Sequence, residues 1–210
     1  MSQDVRKFDI KIVSENFEAA LHKEDDVQIQ EYLDSFEELN RFFTLMGSIF
    51  SFVSSDLKAK IDLLREFLEN SRDNFCTVKL MIQYEKENDL LNKNGYESGS
   101  RTLLRLHRGL DFIQLFLKKI GDLKSADSTS TACKEAYEQT LSQHHSFIIR
   151  SGARLAMFTL PTKDNLLKQV CGEDNVQSAM DMLPKTLEVS SSVHQRIEKL
   201  YTLHDLHSLP

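Results

Sequence analysis

Apolar residues recur at spacings of three and four almost from end to end of this chain, and few residues interrupt that rhythm. A period near 3.6 marks a helix with one buried face, whereas a half-buried strand alternates with a period of two. With only 7 glycines and 3 prolines in 210 residues, long segments contain no breaker. The chain therefore reads as all-α, with helices over 4–22, 27–45, 48–69, 74–93, 99–121, 128–157, 163–170 and 173–202. Lys93-Asn94-Gly95 and Ser98-Gly99 supply turn chemistry, and Gly121 reads as a C-cap. The polar run from Ser125 to Ser130 ends in N-cap candidates, and Pro161 stops the helix before it. No useful strand alternation, internal repeat or low-complexity segment is present. At this length one domain over 1–210 is expected.

Charge narrows the function. A net charge of −6 supplies no whole-chain positive field, so a general nucleic-acid binder is not expected. Any anion site must be a local basic cluster. Cys76, Cys133 and Cys171 are odd in number, widely spaced and free of CxxC pairs, which reads as reduced, intracellular and non-metal. Met1 to Ile10 contains no apolar signal core, and Ser2 stands where N-myristoylation needs glycine. A prenylation box is absent too, and no apolar run approaches the roughly 18 to 20 residues that span a bilayer. Contact with membranes is expected to be reversible and from the aqueous side.

The segment 99–121 carries an unusual stripe. Arg101, Arg105 and Arg108 share a face, and the same line continues into Phe112, Leu115 and Phe116. An ordinary surface helix sets its charges opposite its apolar face; here a cationic end runs into an apolar end. Two other segments share the design. Ile49, Phe52 or Val53, Asp56 and Lys60 form one face, and His145, Ile148 or Ile149, Gly152 and Ala156 form another. If the Asp56 helix runs antiparallel to the other two, the polar ends meet and the apolar ends line one interior region. Lys60, Arg101 and Arg105 against Asp56 leave a local surplus of two positive charges. A phosphate monoester carries about −1.5 to −2, and Arg grips its oxygens bidentately. Asp56 suits an amide N–H or a hydroxyl, and His145 can donate to a carbonyl. An amide flanked by hydroxyl and phosphate is the head of a phosphorylated sphingolipid. Taken singly, each feature has an ordinary explanation: a solvated arginine face, an i, i+4 ion pair, a structural histidine, core phenylalanines. Their coincidence favours the pocket.

The runs Gly99-Ser-Arg-Thr-Leu-Leu-Arg-Leu-His-Arg-Gly-Leu110 and Gly47-Ser-Ile-Phe-Ser-Phe-Val-Ser-Ser-Asp-Leu-Lys-Ala-Lys60 resemble the signatures of the glycolipid transfer protein superfamily. Similarity extends over nearly the whole chain, including Phe158-Thr-Leu-Pro161 and Leu206-His-Ser-Leu-Pro210. The resemblance implies a two-layer all-α sandwich of helices around a hydrophobic lipid pocket. In the sugar-binding branch a tryptophan stands at Arg105 and an asparagine at Lys60; this chain has no tryptophan at all. By resemblance to the phosphate-binding branch, Lys60, Arg101 and Arg105 hold phosphate, Asp56 receives the sphingoid amide and hydroxyl, and His145 contacts the acyl carbonyl. Arg108 supports them. Phe112 and Phe147 stand where the nearest member of that branch has tryptophans. The expected pocket lining is Phe42, Phe50, Phe52, Phe112, Ile113, Phe116 and Ile149.

The implied function is non-vesicular transfer of ceramide-1-phosphate by a monomer that touches cytosolic leaflets. The resemblance places it in the cytosol, with Golgi, plasma membrane, endosome or nuclear envelope as the membranes met. A buried methylene is worth roughly 0.8 kcal/mol, so a two-chained lipid leaves a bilayer only for a comparably dry interior. A large permanent void is costly, so the pocket is expected to be partly collapsed without lipid. Glycine-rich phosphate loops, HExxH and GxSxG are missing, so no enzyme, cofactor or metal is expected. His204-Asp-Leu-His207 reads as a polar tail rather than a metal site. The competing readings are a helical adaptor with a protein partner and a phosphohydrolase built on His145 and Asp56.

Overall fold

The structure is a computed structural model that describes residues 6–21 and 25–210. Its elements are α1 (Ile10–Ala20), α2 (Ile29–Leu45), α3 (Ser51–Asn70), α4 (Arg72–Phe75), α5 (Val78–Glu87), α6 (Gly99–Asp122), α7 (Thr129–Gln139), α8 (Phe147–Phe158), α9 (Lys163–Cys171) and α10 (Val176–Leu203). Single 3-10 turns, Ser48–Phe50, Leu141–His144 and Glu173–Asn175, precede α3, α8 and α10. Among the described residues β-structure is limited to isolated bridges, Gln28 with Thr77 and Ser128 with Thr162.

The departures from the sequence reading have local causes. The expected ends of the first helix, residues 4, 5 and 22, lie outside the described residues, as does the expected signal-free stretch from Met1 to Val5; α1 itself begins after Asp9, whose side chain accepts from Lys11 N at 2.9 Å. The segment 74–93 is not one helix. Thr77 caps a fresh start at α5, and Asp89, at φ 53, ends it in the left-handed region that stops α-helix propagation. The segment 128–157 also divides. Thr140 leaves the helical region (φ −124, ψ −82), a 3-10 turn follows, and Ser146 caps α8 by accepting from Ile149 N. Gly121 is not a C-cap: α6 runs through it to Asp122. A Cβ there would meet Leu183 Cδ2 at 3.2 Å, so its small size serves the close approach of α10.

Packing places α1 against α2 and α10, α2 against α3, and both α3 and α10 against α6, with α7 joining α6 to α8. Large side chains such as Phe17, Tyr32, Phe36, Phe116 and Tyr201 are fully buried in one continuous apolar cluster. Arg65 of α3 reaches both Asp34 (2.6 Å) and Glu37 (2.9 Å) of α2, which fixes how α3 lies on its neighbour.

The start of α6 is held by a buried carboxylate from another helix. Glu85 of α5 is fully buried. Its Oε1 accepts from Gly99 N at 2.7 Å and Tyr96 Oη at 3.0 Å, and its Oε2 from Ser98 Oγ at 2.8 Å and Ser100 N at 2.9 Å. Two of these donors belong to the otherwise unpaired amides of a helix N-terminus, where a negative charge is also favoured by the helix dipole. Tyr201 of α10 completes the anchorage by donating to Ser100 O at 2.6 Å. A Cβ on Gly99 would stand 2.8 Å from Met81 Sδ, so only glycine lets α6 begin this close to α5. We predict that Glu85→Gln, which turns an amide NH2 toward existing donors, lowers stability by about 2 kcal/mol. Calorimetry should then show Tm falling by about 4–8 °C; an unchanged Tm would mean that these contacts do not anchor α6.

Candidate functional site

Between α3, α6, α7 and α8 lies a cavity of about 540 Å³, within the usual range of about 300–1,000 Å³ for ligand pockets. Its inner wall is apolar. Phe43, Phe50, Phe52, Val53 and Leu57 come from the α2–α3 side, Gly109, Phe112 and Ile113 from α6, and Ile149, Ala153, Ala156 and Met157 from α8. Its polar side consists of Asp56 and Lys60 on α3, Arg105 and Arg108 on α6, His144 and His145 in the linker before α8, and Pro210.

Helical spacing explains the polar cluster. Asp56 and Lys60 are one turn apart, and Lys60 Nζ donates to Asp56 Oδ1. The Lys60 side chain is only 16% exposed and Asp56 is 68% exposed, so the lysine stem lies against the protein while the carboxylate stays open to solvent. Arg105 donates to Pro210 O at 3.2 Å, and Arg108 donates to His207 O at 2.8 Å. Burial, and then the charge of Arg105, lower the pKa of Arg108. Burial also lowers that of His145; Asp56 opposes this, and His144 and Lys60 add to it. His145 is therefore neutral at pH 7. Tyr137 Oη lies 2.9 Å from its Nδ1. With the tyrosine hydroxyl donating there, Nε2 carries the ring proton and is a hydrogen-bond donor. The lining thus carries the cations Lys60, Arg105 and Arg108 against the carboxylate of Asp56. It can receive a doubly charged anion, an N–H or O–H on Asp56, and a carbonyl on His145.

Of the expected headgroup residues, Asp56, Lys60, Arg105 and His145 line this one cavity. His145 does so from the linker, not from the face of α8, because that helix starts only at Phe147. Arg101 stands one turn before Arg105, and its guanidinium donates to Tyr96 O at 2.7 Å; it does not line the cavity. Of the expected lining residues, Phe50, Phe52, Phe112, Ile113 and Ile149 face the cavity, whereas Phe42 and Phe116 are buried behind it. Phe42 packs edge-on to Phe43 (5.6 Å), and Phe116 stacks on Phe112 (5.8 Å), so both support lining rings. The sequence reading did not single out Tyr137, His144 or the contact of the Leu206–Pro210 segment with the arginines. Only the apolar character of Leu206 and Leu209, both buried, hinted at that last contact. Phe147, Ile148, Leu155 and Phe158 form an exposed face of α8, with Ile148 at 81% exposure. Among the described residues, no helix is long and apolar enough to cross a membrane.

Helical architecture, apolar cavity and cationic rim together define a lipid-binding class, and comparison with known proteins gives the family. The profile of the glycolipid transfer protein family matches residues 27–172, and the chain belongs to that family. Within it, the chain is 36% identical to a ceramide-1-phosphate transfer protein of Danio rerio, over 97% of this chain and 98% of the relative. The structure of the mouse ceramide-1-phosphate transfer protein in its apo form superposes with a TM-score of 0.90 at 32% identity, covering 97% of this chain and all of that one. The human ceramide-1-phosphate transfer protein in complex with 2:0 ceramide-1-phosphate superposes with a TM-score of 0.87 at 30% identity, covering 98% of this chain and 100% of that one. The fold is thus the helical sandwich of this family.

Gly109 lines the cavity, and a Cβ built on it meets nothing within 4 Å. We therefore predict opposite effects of Gly109→Leu on fold and uptake. Replacing a mid-helix glycine should raise stability by up to about 1 kcal/mol, while the new side chain projects into the cavity and narrows it. Thermal unfolding together with binding of a fluorescent fatty-chain probe would check this; normal uptake by a stable variant would place the ligand elsewhere.

Proposed function

We propose that this chain carries ceramide-1-phosphate between membranes. What carries the reading is a cavity that joins a rim of Lys60, Arg105 and Arg108 to an aromatic and aliphatic interior, in a chain similar to proteins named for that transfer. The phosphate is held by Lys60 and Arg105. Arg101 joins them from the preceding turn through the N–H groups that its bond to Tyr96 O does not use. Arg108 braces the rim. Asp56 accepts from the sphingoid amide and hydroxyl, and His145 donates to the acyl carbonyl. The chains enter between the helices beside Phe112 and Ile149, and the cavity widens to take them.

Each alternative lipid loses something specific. Uncharged ceramide leaves the cations without a counter-charge. Phosphatidic acid offers the phosphate without the amide that Asp56 accepts from. A phosphocholine head brings a quaternary ammonium against Arg and Lys. The exposed apolar face of α8, adjoining the Ile149 side of the cavity, is the surface that meets the bilayer. The protein works as a cytosolic monomer, a single domain in reversible contact with leaflets of Golgi, plasma membrane, endosome or nuclear envelope. It binds and releases its lipid without chemical change.

Vesicle-to-vesicle transfer of fluorescent ceramide-1-phosphate tests this, with fluorescent galactosylceramide as the control. Wild type should transfer the first and not the second. Arg105→Leu should slow transfer about tenfold or more, the loss of one charge-assisted contact. Transfer of neither lipid would favour an adaptor role. Ile148→Asp with Phe158→Asp should slow transfer between vesicles but leave binding of a dissolved short-chain analogue unchanged. Equal losses in both assays would remove α8 from the membrane face.

A further inference from the structure

Behind the cationic rim, on the side of α6 that faces α10, a second polar cluster has no part in the proposed lipid site. His107 lies on α6, and His194 and Glu198 lie one turn apart on α10. The two imidazoles stack with centroids 4.1 Å apart and planes 20° from parallel. His107 Nε2 is 2.8 Å from Glu198 Oε2. The His107 ring is only 2% exposed, and its Nδ1 has no hydrogen-bond partner. A carboxylate only accepts, so without an ion the His107 proton sits on Nε2, the edge that faces Glu198, and a cation bound beside Glu198 takes the place of that proton. A latch between α6 and α10 explains the bond to Glu198. It does not explain a second imidazole held face to face with the first.

We propose that His107, His194 and Glu198 are the ligands of one zinc-class divalent cation bound between α6 and α10. Each offers one ligand atom, and these atoms lie within 4.8 Å of one another. Neighbouring ligands of a tetrahedral zinc ion stand about 3.3 Å apart, so modest side-chain rotation closes the set. Two imidazoles and one carboxylate form a donor set that suits zinc and its first-row neighbours rather than calcium or magnesium. The fourth position falls to water or to His207, whose Nε2 is 3.5 Å from Glu198 Oε1. Asp111 Oδ1, 2.7 Å from His194 Nε2, adds a second carboxylate at the edge. Glu198 is 48% exposed, which gives the ion a way in. Were His207 to exchange its contact with Thr202 Oγ1 (2.9 Å) for the fourth position, the ion would also tie α10 to the C-terminal segment, whose His207 carbonyl holds Arg108.

The test uses the full chain without a histidine tag, stripped with EDTA and free of lipid, so its result does not depend on transfer activity. Zinc chloride is titrated against a chromophoric zinc chelator, and thermal unfolding is followed in parallel. One equivalent should bind, with Tm rising by about 5–10 °C at a hundredfold excess over Kd. Glu198→Gln and His194→Phe should each weaken binding tenfold or more, and His144→Ala should leave it unchanged. His107 is part of the core, so its replacement is not used. Failure to bind one equivalent, or unchanged binding in both α10 variants, would overturn the proposal.

Discussion

The site depends first on a carboxylate that never touches it. Glu85 accepts four hydrogen bonds at the origin of α6, and α6 is the helix that carries Arg101, Arg105, Arg108, Gly109, Phe112 and Ile113. A helix is rigid along its axis, so fixing its first turn fixes the height at which each of these side chains emerges. Burying a charge is costly unless its oxygens are fully hydrogen-bonded, and here both oxygens are doubly engaged. The same interaction satisfies amides that a helix cannot satisfy for itself. Tyr201 and Ser98 secure the same turn from α10 and from the cap position.

From that fixed point the pocket follows by geometry. α3 lies against α6 and is held on its far side by Arg65 with Asp34 and Glu37. Asp56 and Lys60 therefore face Arg105 across the gap, while Phe50, Phe52 and Val53 line the space beside Phe112 and Ile113. The aromatic run from Phe43 through Phe112 to Tyr137 passes from core to rim and ends on His145. Phe42 and Phe116 stand behind these rings. Polar rim and apolar throat are thus one continuous surface, as an amphiphile requires.

Much of this was legible in the sequence because it is periodic. The helical class, the placement of most helices and the juxtaposition of Asp56 with Lys60 follow from residues three and four apart on one helix. Interruptions inside apolar runs were not legible. The breaks at Thr77 and Thr140 are made by backbone angles and caps at residues that also occur within helices. Gly121 misled because its reason for being glycine is a neighbour, Leu183, distant in sequence. Phe42 and Phe116 misled in a related way, since period alone places a ring on the inward side without saying whether core or cavity lies there. His107, His194 and Glu198 left no trace of a ligand pattern, because residues from two helices converge only in the folded chain. Arg101 was legible as a member of the stripe but not as the partner of Tyr96 O.

The arginine contacts also bear on how a carrier can both take up and release a charged lipid. Arg105 and Arg108 donate to the carbonyls of Pro210 and His207. These are neutral acceptors, and a bond to a charged phosphate is roughly twice as strong as one between neutral groups. If a phosphate binds Arg105 as proposed, exchange of Pro210 O for its oxygen favours uptake, yet by less than filling a bare guanidinium would. Arg105 is exposed, so on release of such a phosphate Pro210 O and water both stand ready to take its place at the guanidinium. A site of this kind forgoes some affinity and gains reversibility, and a protein that must unload at every cycle needs reversibility more.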